Sequence, residues 1–132
     1  MIEFPDKSKR RARARWNLFL VREAAQACIR FANEHEQQFP TSVAEVAPNL
    51  TGGVKLEEIE TNSDIVYQDS MAGIANPSRT IVIMSKQAWQ ERNGRWLKAY
   101  AFADGRGVVR EERENNFDIF EGKRIILSTS NQ

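Results

Sequence analysis

The chain has 132 residues, 41% of them hydrophobic and 28% charged, which suits one ordinary globular domain with its own core. One cysteine, Cys28, excludes an internal disulfide, and no stretch of the sequence approaches the roughly 20 apolar residues of a membrane span. The formal net charge of +1 hides a strongly basic segment at residues 7–15 and a mildly acidic remainder.

The first third of the sequence predicts one long helix, from residue 5 to about residue 37. Pro5 suits a first helical turn, alanines are frequent, and neither Gly nor Pro follows until Pro40. Apolar residues recur at spacings of three and four, which predicts a helix lying on a core. The predicted packing residues of this helix are Leu18, Val21, Ala25, Cys28 and Phe31, extended by Ala24, Ala32 and His35.

Residues 1–15 are predicted to form a basic helical arm, because residues 6–15 contain no apolar side chain larger than alanine. Three interpretations of the arm stay open: a solvated helix face, contact with nucleic acid or an acidic partner, and the flank of a membrane span outside this sequence. The candidate interaction residues of the arm are Lys7, Lys9, Arg10, Arg11, Arg13 and Arg15.

Residues 16–127 predict an α+β domain, with the long helix packed on a small antiparallel sheet. Ser42 and Glu45 have the spacing of a capping box, which predicts a short second helix from Val43 to Ala47 that Pro48 ends. Residues 117–127 predict a helical turn on the sheet, and residues 128–132 are a polar tail. Strands are predicted at residues 54–59, 64–68, 80–84 and 98–103, with turns at 76–78, 93–94 and 104–105.

Three tryptophans are many for a domain of this size. Trp89 and Trp96 flank the Asn93-Gly94 turn, which predicts that they pack across a hairpin. The alternative is that the tryptophans, with Trp16, belong to an exposed contact surface.

The sequence does not bring together a recognisable catalytic set, and we expect that the chain is not an enzyme. His35, the single histidine, falls at the end of the long helix, and Cys28 falls within the apolar stripe, so both are predicted to be structural. A Cys/His cluster for zinc and a Gly-rich phosphate loop are absent from the sequence. Asp104 and Asp118 are the candidates for a calcium site, and no other cofactor is expected.

Several segments resemble the major-pseudopilin-like proteins of type II secretion (general secretion pathway protein G-like), in the form found in Verrucomicrobia and Planctomycetes. The resemblance is carried by residues 27–35, by Gln38-Phe39-Pro40, by residues 42–48 and by the hairpin Phe102-Ala103-Asp104-Gly105-Arg106, where the family has His at the last position. It covers roughly residues 7–126 and implies a pilin fold. The membrane-inserting half-helix of that family has no counterpart within this sequence.

The resemblance implies a structural and interaction domain whose partners are proteins, including copies of itself that associate through the long helix. It implies a periplasmic, inner-membrane-associated location if a prepilin-type helix precedes the chain, and a cytoplasmic one otherwise. The alternative function is a soluble regulatory appendage or binding module, such as a C-terminal domain of a sigma-factor-like protein, whose basic arm contacts an acidic partner or nucleic acid.

Overall fold

The computed structural model describes the backbone of residues 3–125 and the side chains of residues 12–125. It has the predicted α+β fold, a long N-terminal helix packed on a five-stranded antiparallel sheet with short helices around it. The side chains of Lys7, Lys9, Arg10 and Arg11 lie outside the described residues, as do the end of the predicted domain at residues 126–127 and the predicted tail at 128–132.

The first element is also the longest. α1 has 32 residues and is therefore about 48 Å long. Along the described side chains of α1, Ala14 is the first apolar one that packs against the core.

In chain order the elements are α1 (Glu3–Glu34), a 3₁₀ helix (Val43–Asn49), α2 (Leu56–Asn62), β1 (Ser63–Ile65), 3₁₀ turns (Met71–Gly73 and Pro77–Arg79), β2 (Ile81–Ser85), β3 (Trp89–Gln90), β4 (Trp96–Phe102), β5 (Gly107–Glu112) and α3 (Asp118–Gly122).

β4 is the strand around which the sheet is built. β5 pairs with β4 from residue 96 to residue 101, β2 pairs with its last part, and β3 pairs with its first two residues. Because a strand has only two edges, β2 and β3 follow one another along one edge of β4 while β5 occupies the other. β1 pairs with β2 and extends the sheet beyond it.

The side chains of β4 alternate between small and large, and each size faces a different layer. Ala99, Ala101 and Ala103 are buried in the cluster that contains the packed face of α1. Tyr100 and Phe102 point to the other face, where Phe117 and the partly buried Phe120 cover them. Small side chains on one face let the helix axis approach the sheet closely, while bulky ones on the other face support the C-terminal segment.

One predicted strand, at residues 54–59, is wrong, because this segment forms the loop before α2 and most of α2 itself. The backbone N–H of Lys55 donates to Glu58 Oε1 at 2.9 Å, which satisfies a donor at the start of the helix. Leu56 and Ile59 are three residues apart and so lie on one helical face, and Ile59 is fully buried. The contact of this short helix with the core therefore outweighs the strand-like alternation of its sequence.

The long helix ends earlier than predicted, at Glu34. Glu36 and Gln37 have positive φ values of 57° and 70°, so the chain leaves the helix in left-handed geometry. The backbone N–H of Gln37 donates to the carbonyl of Ala32 at 2.7 Å and satisfies one of the last acceptors. Similarly, Pro48 does not end the second helix, since the 3₁₀ helix runs through it to Asn49.

Trp89 and Trp96 do not pack across their hairpin as predicted. Trp89 is opposite Leu97 and Trp96 is opposite Gln90, so the two indoles lie on different faces of the sheet. Trp89 belongs to the cluster under α1, and Trp96 packs at the cluster on the other face. The predicted turn between them is present, with Gly94 at a φ of 85°.

We predict that Gly107→Ala destabilises the fold, because this glycine lies directly under α1. A Cβ at this position would lie 2.5 Å from Arg22 Cγ and 2.7 Å from Leu18 Cδ1. The helix would have to shift or repack, which we expect to lower the free energy of unfolding by about 1–2 kcal/mol in urea titrations. Gly122→Ala is the control, since a Cβ there meets nothing within 4 Å. Equal stabilities of the two variants would contradict close packing of α1 on β5.

Candidate interaction surfaces

The predicted packing residues of the long helix lie between helix and sheet. Val21, Ala25 and Cys28 are completely buried, and Leu18 and Phe31 are partly buried against the same core. None of these side chains is presented to a ligand. They hold α1 in place and so fix the position of the surfaces at both ends of it.

The Cys28 thiol is buried between α1 and the sheet, and that environment determines its chemistry. Burial raises the pKa of the thiol from 9.0 to about 12. A thiol with such a pKa carries almost no thiolate near neutral pH and is a poor nucleophile. Cys28 therefore acts here as a small apolar side chain.

The raised pKa of Cys28 predicts a loss of stability at alkaline pH. The unfolded thiol releases its proton near pH 9.0, whereas the folded thiol keeps it to about pH 12. The unfolded state thus binds fewer protons in this window, and the free energy of unfolding falls by about 1.4 kcal/mol per pH unit between these values. Below the unfolded pKa both states are protonated and Cys28 contributes no slope.

The contribution of Cys28 to stability is measured by urea titration. The native chain and Cys28→Ala are compared at several pH values above and below 9. Alanine retains the small apolar side chain but cannot ionise, so we expect a shallower decline for the variant. The other ionisable groups are the same in both proteins, so their effects on the free energy of unfolding cancel when one curve is subtracted from the other. Parallel curves would show that the Cys28 thiol ionises in the folded chain.

His35 lies on the surface at the end of α1, next to no nucleophile among the described residues. Its Nδ1 lies 2.7 Å from the carbonyl oxygen of Phe31, so this nitrogen carries the proton and donates. The imidazole ring stacks on Phe31, with 3.8 Å between ring centroids. These contacts place the imidazole against the last turn of the helix, where it satisfies one of the carbonyl groups.

The two candidate calcium ligands, Asp104 and Asp118, lie in different parts of the fold. Asp104 Oδ1 accepts a hydrogen bond from the backbone N–H of Arg106 at 3.0 Å, which shapes the β4–β5 turn. Asp118 is exposed at the start of α3. Across residues 12–125, no three His, Cys, Asp or Glu side chains are grouped so that they could hold a metal ion. Likewise, no helix within residues 3–125 is long and apolar enough to cross a bilayer.

The described part of the basic arm borders an exposed aromatic surface. The guanidinium of Arg13 lies over the ring of Trp89 at 5.6 Å, and Arg15 points into solvent. Trp16 is 43% exposed and stacks on Phe19 at 5.8 Å. A cavity of about 380 Å³ lies beside them, between α1 and residues 86–89. We call Arg13, Arg15 and Trp16 the helix-start surface.

A polar cluster on the other face of the sheet was not predicted. Lys98 Nζ and the Tyr100 hydroxyl both donate to Glu121 Oε2, at 2.7 Å and 2.6 Å. Burial, together with this hydrogen bond, raises the pKa of Tyr100 above its usual value. The cluster joins α3 to β4 through the three side chains. Glu121 lies in a different element, 23 residues after Lys98 and 21 after Tyr100, so no local signal in the sequence identifies the cluster.

A second unpredicted feature is a groove of about 450 Å³ beside the β4–β5 turn. Four arginines line it without any Asp or Glu among the lining residues: Arg79, Arg106, Arg110 and Arg124. We call it the arginine groove. Phe102, Val108 and Phe120 supply its apolar part. Aromatic residues near arginines are visible in the sequence, but their convergence depends on three separate elements.

The fold and these surfaces were compared with protein-family models, with curated proteins and with solved structures, and none of the three comparisons gave a match.

Proposed function

We propose that this chain is a non-enzymatic structural and interaction domain of pseudopilin type. The observation that carries the proposal is the position of α1: among its described side chains the apolar packing on the sheet begins at Ala14, while the helical backbone begins at Glu3. A helix that is anchored by one part and continues beyond it is suited to packing beside the same helix of neighbouring copies. The pseudopilin-like segments of the sequence support the same assignment.

The exposed residues of α1 are consistent with this role. Trp16 is a large aromatic side chain with 43% of its surface in solvent, in the segment where α1 begins to contact the sheet. Such side chains contribute strongly to protein interfaces, because they bury a large area with few rotatable bonds. In the proposed assembly, Trp16 packs against a neighbouring copy.

Cross-linking in the cells that make the protein tests this proposal. A thiol-specific bifunctional reagent is applied to cells producing Trp16→Cys, and we expect cross-linked dimers and higher multiples. The native Cys28 is completely buried, so we expect that it does not react with the reagent. Glu60→Cys is the matched control, because residue 60 is exposed on α2 rather than on α1.

The same cells supply a second measurement, the mass and location of the native polypeptide. The pseudopilin proposal expects a membrane-associated polypeptide that is heavier than the 15.1 kDa of this chain by an apolar helix. A 15.1 kDa polypeptide outside the membrane fraction, with equal cross-linking of both cysteine variants, would refute the proposal.

A second candidate function is a soluble binding module whose basic arm contacts nucleic acid or an acidic partner. The exposure of Arg13 and Arg15 beside Trp16 favours it. Titration of the chain with duplex DNA at increasing salt tests the nucleic-acid form, since each phosphate contact releases counterions. We expect the logarithm of the binding constant to fall by about 0.9 per contact for each tenfold increase in salt. Binding without a salt slope would exclude this function.

A further inference from the structure

The arginine groove carries positive charge that the rest of the chain compensates only in part. Arg110 Nε lies 2.8 Å from Glu112, and Arg106 Nε lies 4.0 Å from Asp104. Arg79 and Arg124 form no ion pair with a carboxylate among residues 12–125. The groove therefore retains net positive charge although the whole sequence has a formal charge of only +1.

Two of the four guanidinium groups of the groove, those of Arg106 and Arg124, have neutral contacts that hold them in place. Arg106 donates to the carbonyl of Ser78 at 2.6 Å and lies 4.4 Å from the Phe102 ring centroid. Arg124 donates to the carbonyl of Phe120 at 3.1 Å and lies 4.3 Å from the same residue's ring. Stacking on a ring leaves N–H groups at the guanidinium edge for a ligand. Side chains that are already ordered lose less conformational entropy when they bind.

We propose that the arginine groove binds an acidic peptide segment. Carboxylates of the segment pair with Arg79, Arg106 and Arg124, because a guanidinium and a carboxylate form two parallel hydrogen bonds. An apolar side chain of the segment lies on Val108. A groove that combines guanidinium groups with an apolar surface complements a peptide that carries both carboxylate and apolar side chains.

The aromatic residues of the groove argue against nucleic acid as its ligand. Phe102 is 3% exposed. Phe120 has the guanidinium of Arg110 at 5.1 Å and that of Arg124 at 4.3 Å from its ring. These rings are occupied by the protein's own side chains, whereas proteins that bind single strands offer free rings on which bases stack.

This inference goes beyond the proposed function and does not depend on it. The aromatic residues of the groove belong to the face of the sheet opposite α1. Loss of helix-mediated assembly would leave the groove unchanged, and loss of peptide binding would leave α1 and Trp16 unchanged. The two proposals can therefore fail separately.

Fluorescence polarisation with the full chain tests peptide binding. The probe is a fluorescein-labelled peptide of repeated Glu-Asp-Leu, and its control is the same peptide with Gln and Asn in place of the acids. We expect binding of the acidic probe at low salt, weaker binding as salt rises, and no binding of the amide probe.

Two double variants locate the site. Arg79→Ala/Arg106→Ala removes two groove arginines and should weaken binding on the order of 10-fold or more, as for the loss of charged hydrogen bonds. Arg13→Ala/Arg15→Ala removes the same charge from the helix-start surface and should leave binding within about twofold, since exposed charges at a distance are screened. Thermal unfolding followed by circular dichroism checks that both variants are folded.

A third variant, Arg106→Lys, separates geometry from charge. Lysine keeps the positive charge but cannot form two parallel hydrogen bonds, so we expect several-fold weaker binding with little change in stability. Three results would overturn the proposal: no binding of the acidic probe at low salt, equal weakening by both double variants, or tighter binding of a single-stranded oligonucleotide than of the acidic peptide at the groove.

Discussion

The structure depends on the close contact between α1 and the alanine face of β4. Ala24, Ala25 and Ala27 on the helix belong to the same buried cluster as Ala99 and Ala101 on the strand. Small side chains on both surfaces bring the backbones together, and Gly107 continues the same close approach onto β5. Burial of this layer fixes the direction of α1, and hence the places where Arg13, Trp16 and His35 meet solvent.

The opposite face of β4 carries large side chains, which pack against the C-terminal segment instead of a closely approaching helix. Tyr100 and Phe102 form a layer that needs a cover, and the C-terminal segment with Phe117 and Phe120 supplies it. The hydroxyl of the buried Tyr100 and the ammonium of the partly buried Lys98 require polar partners on such a face, and Glu121 accepts from both. The arginine groove arises at the margin of this cover, where the buried Phe102 ring and the partly buried Phe120 ring stack with arginine side chains.

The sequence predicted the features that local signals determine. The apolar stripe from Leu18 to Ala32 predicted a helix on a core. The Asn93-Gly94 and Asp104-Gly105 pairs predicted turns, and in the structure both glycines have the positive φ that such turns need. The prediction was wrong where tertiary contacts determine the secondary structure. Residues 54–59 alternate as in a strand, yet Ile59 lies in the helix α2 and is buried there. The groove could not be predicted, because Arg79, Arg106 and Arg124 come from three elements that meet only after the sheet forms.

The two faces of the sheet also separate the two basic surfaces of the molecule. If copies of the chain pack through α1, the helix side of each sheet faces the neighbouring helices and the other side faces outward. The arginine groove lies on that outward side, so an acidic segment could reach it without displacing the assembly. Under the two proposals, self-association and peptide binding would use opposite faces of one sheet, with no residue shared between the two surfaces.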